Sequence, residues 1–522
     1  MSLKGFISVV AFGIVAAGTA APFDMWFEAR IADGRTIRIH GVGDEYAAQF
    51  EDEEGRNLVY NPQAGAYEYA EREDDETFRR RALERRLKAE EETGLARRWA
   101  ELKARRRRGS GPRLMSPPTH ETRGNIVGVT LLVDFPVLDE HGVETNTLAA
   151  CVHPNVTESD LNDLINGTGF TNYGNASSVR EYFLGTSGGN LDYSNVVIGW
   201  IKVPQPREYY DKPSREAFIN GRALIGDVFD ALKKADPEKY ETEYLPEIRR
   251  ATTNAEGEFL ALNVFFAGNA AAGWGAGLWA HQSSLEPDQY DKLIITIGGK
   301  SCHFNQYQIS PITTNPSIGA FCHENGHMIC DFPDLYAYKE EGGLGGGVGS
   351  WCLMCNTSLK SPQNICAYLR AAAGWVTPKA LPPSGLVTVT ADMQDVWKFP
   401  HPTDPQQYYL IENRQASGRD QVLRAPGIVI YRCDELGSNT HCSHFLDDYG
   451  VFYDDVSRRA DRRLAYEVSV EQADGYYHIE NTPSATMQTT HGSSEIQHLG
   501  TLAGLIQRRF QLPSGLTAVQ PN

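Results

Sequence analysis

No cysteine occurs in the first 150 of the chain's 522 residues, no apolar stretch after the first twenty is long enough to cross a bilayer, and there is no excess of positive charge. Each absence excludes something. Without a later span of ~20 apolar residues, stable membrane insertion is not expected. A formal charge of −18, from 49 Lys and Arg against 67 Asp and Glu, argues against nucleic acid as the main partner, because phosphate binding needs clustered basic side chains on the folded face. The basic residues are also unevenly placed: Glu71 to Arg108 holds 14 of them beside 10 acidic ones, which leaves the rest strongly acidic. No internal repeat is visible. Ordinary hydrophobic (41%) and charged (22%) contents exclude disorder throughout. The length exceeds one compact core, so about two to four folding units are expected.

The first twenty residues carry one Lys, an apolar stretch and small residues at Gly18 and Ala20. That pattern reads as a secretory signal, 1–20, cut after Ala20. As a membrane anchor it is too short for about 30 Å of hydrocarbon. A secreted, extracellular protein is expected. Nine cysteines from Cys151 onward fit an oxidising compartment and disulfide bonds, the odd count leaving one without a partner in the chain. Cys433 and Cys442 flank a short loop that they could close.

From Phe27 to Ala70 short apolar runs alternate with Gly, Asn and Pro, which predicts a small unit of short strands. Glu71 to Arg108 reads as a solvated helix. It ends in Arg105, Arg106, Arg107 and Arg108, followed by a flexible polar stretch as far as Thr122. Exposed linkers of this kind attract proteolysis, so residues 21–123 are expected to form a removable pro-region. At Gly124 the pattern changes to a continuous apolar, β-branched run through Phe135, the mark of a buried strand. Further strands are expected over 196–203, 259–266 and 292–297, with helices near 178–183 and 217–234. An α/β domain over 124–378 follows. Residues 379–522 read as a β-rich C-terminal region, with short strands at 385–390, 408–412, 427–431 and 464–470.

The densest chemical signal is the segment Phe321-Cys322-His323-Glu324-Asn325-Gly326-His327. Asn315 and Pro316 suit a helix start, as N-cap and first helical residue, so a helix from Pro316 to about Ile329 is expected. Two His four apart share a helix face and can converge on one tetrahedral Zn2+. Glu324 can face the open metal position and take a proton from metal-bound water. A chain of this composition shows the spacing by chance about twice in a hundred, so further features matter. A third donor is needed, and Asp331 and Asp334 both follow the helix, with Pro333 available to turn the chain back. A Glu from a second helix is less available, since none occurs between Glu341 and Glu412. Met354, after the Gly-rich run Gly342 to Gly349, could form an apolar floor beneath the site, though a lone buried Met is usually core filler.

Here the chain resembles the immune inhibitor A family of metallopeptidases, in the metzincin clan. The resemblance runs from Gly124 to about Tyr477. It rests on Ser178-Val179-Arg180-Glu181-Tyr182-Phe183, Gly199-Trp200, Tyr209-Tyr210, Trp279-Ala280-His281, the His323 helix, Met354, Ala373-Gly374-Trp375-Val376-Thr377-Pro378, Tyr409-Leu410-Ile411-Glu412-Asn413-Arg414 and Glu471-Gln472-Ala473-Asp474-Gly475. The N-terminal region, with Gly43-Asp44-Glu45-Tyr46, is similar to the family's as well. The resemblance implies an α/β zincin-like (metzincin) catalytic domain with an N-terminal α+β pro-region. It implies His323 and His327 as zinc ligands, Glu324 as general base and acid, an aspartate as third ligand and Met354 as the Met-turn. One departure stands out. The family's Gly and Asp, seven and ten residues after the first His, are here Cys330 and Pro333. One extra residue in the turn makes Asp334 the third ligand, with Asp331 as competitor.

The activity so implied is a zinc-dependent endopeptidase acting on protein or peptide substrates, with the pro-region as its inhibitor. With no cysteine in residues 1–150, a pro-region thiol cannot cap the metal; Asp44 or steric cover of the cleft remains. Glu324 argues against a binding protein that merely keeps the scaffold, since zinc binding does not need it and hydrolysis does. His281 is placed beside the substrate cleft rather than on the metal. Cys352 and Cys355 lack the second pair that a structural zinc site needs, and are expected in disulfides to other cysteines. Asp447 to Asp455 could offer oxygen ligands to Ca2+, a solvated loop being the plainer reading.

Overall fold

The computed structural model describes residues 23–43, 48–61, 64, 66–71, 122–138, 144–146, 156–212, 217–268, 277–338, 344–345, 347–382, 386–400, 407–423, 426–435, 439, 445–446, 452–453, 466–471 and 518–521. The signal segment, Asp44, the Arg-rich stretch from 72 onward, its linker, Cys151, Cys442 and most of the Asp447 to Asp455 stretch lie outside the described residues.

Near the N-terminus five strands form an antiparallel meander in chain order: β1 (Phe23–Arg30), β2 (Thr36–Gly43), β3 (Ala48–Asp52), β4 (Asn57–Asn61) and β5 (Ala66–Tyr69). Successive side chains on a strand point to opposite faces. One face gathers Ile31, Ile39, Phe50, Leu58 and Tyr67 into a small core of their own. The short strands expected between Phe27 and Ala70 are this meander.

The central unit is a five-stranded sheet of β6 (Gly124–Asp134), β7 (Leu191–Lys202), β8 (Leu262–Ala267), β9 (His281–Ser284) and β10 (Gln306–Ile312), in the order β9-β10-β8-β6-β7. All neighbours are parallel except β9, which runs antiparallel at the edge beside β10. The run beginning at Gly124 shows why it lies in the middle. Val129, Leu131, Val133 and Phe135 enter the core on one face, and Ile126 and Leu132 the core on the other. A strand buried on both faces needs apolar residues in both registers.

Among the described residues the longest helices that cover the sheet or brace it are α1 (Glu158–Asn166), α2 (Val179–Thr186), α3 (Ala217–Lys234), α4 (Gly319–Cys330) and α5 (Ala367–Ala372). Capping boxes start α1, through Thr157 and Asp160, and α2, through Ser178 and Glu181. Leu224, Ile225, Val228 and Phe229 of α3 pack on the Val129 face, while α1, α2 and α4 share the Ile126 face. The strand expected over 292–297 is Ile295–Ile297, and it pairs outside the large sheet with Lys300–Phe304. β9 and β10 escape an apolar pattern because Gln282, Ser283, Gln306, Gln308 and Ser310 interrupt it.

The C-terminal strands β11 (Trp397–Pro400), β12 (Gln407–Arg414), β13 (Gly427–Asp434) and β14 (Val468–Val470) form a second sheet. Tyr408, Leu410, Val429, Tyr431 and Val468 join the same apolar cluster as Tyr368 and Trp375, so the core is continuous across residue 378. A buried ionic network crosses the same line. Arg370 of α5 pairs with Glu412. Arg414 donates to Glu412 at 3.1 Å and grips both oxygens of Asp420 at 2.7 and 2.8 Å. It also donates to the carbonyls of Trp351 at 3.0 Å and Asn364 at 3.3 Å. Burial would raise the Asp420 carboxyl, but Arg414 outweighs it and holds it below its ordinary value.

The disulfides expected at Cys352 and Cys355 are not formed. Among the described residues seven cysteines are buried thiols, Cys433 among them. They fill the apolar core as small hydrophobes, a common use of free Cys. Burial pushes the Cys355 thiol up to about 12 and raises Cys322 further.

Removing one partner from a buried network leaves the other charges uncompensated. Glu412→Ala is expected to cost about 3–5 kcal/mol, read from the chemical-denaturation midpoint. A loss under about 1 kcal/mol, the size of a surface pair, would show that Arg370 and Arg414 do not depend on it.

Candidate metal centre

All twelve residues of α4 are buried. The helix begins three residues after the expected Pro316. Asn315 and Pro316 are instead tied down as a loop: Lys360 Nζ donates to the Asn315 carbonyl at 3.0 Å, and Asn175 Nδ2 donates to the Pro316 carbonyl at 3.0 Å. At the other end Cys330 is still helical, and Asp331 breaks the helix in the left-handed region (φ 52°). Asp is among the few non-Gly residues that tolerate this conformation. The N–H of Asp331 donates to the His327 carbonyl and that of Phe332 to the Gly326 carbonyl, so the chain reverses toward the helix. The reversed chain brings Asp334 back beside the two His.

His323, His327 and Asp334 form the group of metal-donor side chains found among the described residues. The two His Nε2 atoms are 3.2 Å apart, and Asp334 Oδ1 lies 3.1 Å from His323 Nε2 and 3.3 Å from His327 Nε2. The opposite ring nitrogens settle the tautomers. His323 Nδ1 lies 3.0 Å from the Leu353 carbonyl and His327 Nδ1 2.6 Å from the Phe332 carbonyl. A carbonyl only accepts, so each Nδ1 carries the proton, and in neutral rings each Nε2 turns a lone pair toward the other. Four ligands at about 2.0–2.1 Å in a tetrahedron lie about 3.3 Å from one another, close to the spacing here. The residues present fit a small dication.

Met354 lies directly beneath. A Cβ on Gly326, between the two His, would meet Met354 Sδ at 2.5 Å, so glycine is what lets the sulfur touch the helix. The Met354 carbonyl accepts from the N–H of Leu335, the residue after Asp334.

Glu324 is 2% exposed, and its Oε1 has no hydrogen-bond partner among the described residues. The carboxylate accepts from the backbone N–H of Gln282 on the edge strand β9. Burial raises its pKa to about 7; His323 and the Gln282 N–H pull it down and Asp334 adds to the rise. A carboxyl poised near neutrality, with an oxygen left unsatisfied in a dry site, can take up and return a proton.

A buried polar network that the sequence reading did not single out seats the helix on the sheet. Asn325 Oδ1 accepts from the Tyr193 hydroxyl at 2.7 Å, and its Nδ2 donates to Asn263 Oδ1 at 2.9 Å. Asn263 Nδ2 in turn reaches Asn195 Oδ1 at 2.8 Å. The visible signal was a polar Asn263 inside the apolar run Leu262 to Ala267. His281, expected beside the cleft, lies on the edge strand β9. It is buried on the α3 face, against Gly221, with Nδ1 2.7 Å from the Trp279 carbonyl and Nε2 3.0 Å from the Tyr307 hydroxyl. Burial lowers its pKa to about 4, which keeps it neutral. Its neighbour Gln282, through the main chain, is the residue of β9 that reaches the site.

A mixed sheet with an antiparallel edge strand, a buried helix presenting two His and a Glu, and an aspartate returned by a tight turn define the catalytic domain of a metallopeptidase. Residues 120–365 match the family model described as immune inhibitor A peptidase M6, catalytic domain, and over this stretch the chain is similar to that peptidase family. No curated protein matches the chain.

Asp331 is used by the helix cap, while Asp334 faces both His. Asp334→Ala is therefore expected to abolish stoichiometric retention of a divalent metal, measured by elemental analysis after dialysis, and Asp331→Ala to preserve it. Loss of metal on Asp331→Ala alone would reverse the assignment.

Proposed function

We propose that the chain is a secreted, zinc-dependent endopeptidase of metzincin type, made as a zymogen. The observation that carries this reading is the triangle of His323, His327 and Asp334 donors with Glu324 beside it. Zinc bound there would act as a Lewis acid and lower the pKa of its water from 15.7 toward about 7. Among the chain's own residues, Glu324 takes the water's proton and returns it to the leaving amine. The substrate lies extended along β9, the sheet edge whose Gln282 N–H already faces Glu324, bound through main-chain hydrogen bonds. Met354 and Gly326 keep the floor of the site apolar and rigid.

The reading of residues 21–123 as pro-region and 1–20 as signal goes with this. The meander β1 to β5 has a core separate from that of the central sheet, as a removable unit needs. Tyr60 of β4 also lies near the catalytic domain: burial and then the Asp211 carboxylate raise its phenol pKa. Asp211 accepts from the Leu278 N–H, three residues before β9; steric cover of the cleft by the pro-region is part of this proposal. Calcium binding at Asp447 to Asp455 is no part of this proposal.

Digestion of an unfolded protein by the secreted, matured chain tests it. Glu324→Ala is expected to lower the rate by at least about 10²–10⁴-fold, the usual share of general acid–base catalysis, and a zinc chelator to abolish it. Undiminished cleavage by Glu324→Ala would sink the mechanism. N-terminal sequencing of the active protein is expected to start between 105 and 124; a start near Ala21 would mean that the pro-region is retained.

A further inference from the structure

The residue next to the third metal donor is held from three sides. The N–H of Leu335 donates to the Met354 carbonyl at 2.7 Å. Its carbonyl accepts from the Val348 N–H at 3.1 Å and from Asn439 Nδ2 at 2.9 Å, which occupies both lone pairs. Gly347 closes around the same carbonyl. With φ +48°, a Cβ there would lie 1.8 Å from the Leu335 oxygen.

Two of these holds come from the loop that carries Met354. The third comes from 104 residues further along the chain. Asn439 is 2% exposed and lies beyond the matched catalytic domain. Its Nδ2 also donates to the Val468 carbonyl at 2.8 Å, and its Oδ1 accepts from the Val468 N–H at 2.9 Å. Val468 opens β14 and pairs with Cys433 of β13. One amide thus ties the backbone beside Asp334 to the C-terminal sheet.

We infer that Asn439 is a positioning residue for metal binding: through Leu335 it fixes where Asp334 Oδ1 sits relative to His323 and His327. The inference rests on the metallopeptidase reading above. Only an amide fits the role, because the site demands two donors and an acceptor from one short side chain. A carboxylate would face the Leu335 and Val468 carbonyls with no hydrogen to give. Partners that orient metal ligands typically change metal affinity about 10–100-fold when removed.

The test uses the full chain with Zn2+ and Co2+ as probes. Zinc affinity is read by competition with a chelator, coordination by the visible absorption of the Co2+ form, and stability by thermal unfolding. Asn439→Asp is expected to weaken zinc binding about 10–100-fold and to change the Co2+ spectrum. Gly347→Ala, which displaces the same carbonyl from the other side, is expected to do likewise with the C-terminal sheet intact. The comparison is Asp395→Asn. Asp395 serves the C-terminal region through Lys379 and Thr390 and touches nothing beside Leu335. It is expected to lower the unfolding temperature while keeping wild-type affinity and spectrum. The inference is overturned if Asn439→Asp binds zinc as wild type does, or if Asp395→Asn loses as much affinity at an equal loss of stability. A wild-type chain that takes up neither metal would instead overturn the metal reading on which it rests.

Discussion

Three acceptor atoms meet in a dry interior with 3.1 to 3.3 Å between them, and the surrounding structure serves to keep them there. Without a cation, two imidazole lone pairs and a carboxylate oxygen at that spacing repel one another, and burial leaves little water to screen them. The carbonyls of Leu353 and Phe332 hold the opposite ring nitrogens and prevent the rings from turning away. Gly326 admits Met354 against the helix, and the Met354 carbonyl in turn fixes Leu335 beside Asp334. The helix, the turn and the Met354 loop therefore define one another through single contacts, each of which leaves no room for a larger or differently bonded group.

The layers around this centre use polar groups where apolar packing alone would not fix orientation. An apolar helix face can slide or rotate on a sheet at little cost, whereas Asn325, Tyr193, Asn263 and Asn195 satisfy one another in one seating. On the other side of the Met354 loop, Arg414 performs a similar task with charge. It binds the Trp351 and Asn364 carbonyls while its own charge is balanced by Glu412 and Asp420. The C-terminal sheet thereby braces the loop that carries Met354, although the family match ends at residue 365.

Much of this was legible in the chain. The β-branched run from Gly124, the capping residues Ser178 and Glu181 and the uninterrupted amphipathic stretch Ala217 to Lys234 each declare their element locally. The edge strand β9 and its partner β10 did not, because strands near a site carry Gln, Ser and His that break the apolar pattern. The orientation of His281 was hidden for the same reason. Adjacent residues on a strand face opposite ways, and nothing in the sequence says which of His281 and Gln282 looks toward the metal helix. The cysteines misled through composition: an oxidising compartment suggests pairing, but the thiols at Cys352, Cys355 and Cys433 were spent on filling the core.

What the sequence determined by itself is the chemistry available: two His and a Glu at helical spacing, an aspartate soon after, and a methionine within reach. Periodicity is a local property, so four residues on a helix always bring side chains together. Only the tertiary structure decided which aspartate faces the donors, because that depends on where the helix ends. Cys330 continued it and Asp331 took the left-handed turn, which left Asp334 to point back. The tertiary structure alone also brought Asn439, Arg414 and Gln282 to the site or to the loop beside it, since their contacts join parts of the chain far apart in sequence and no local pattern records them.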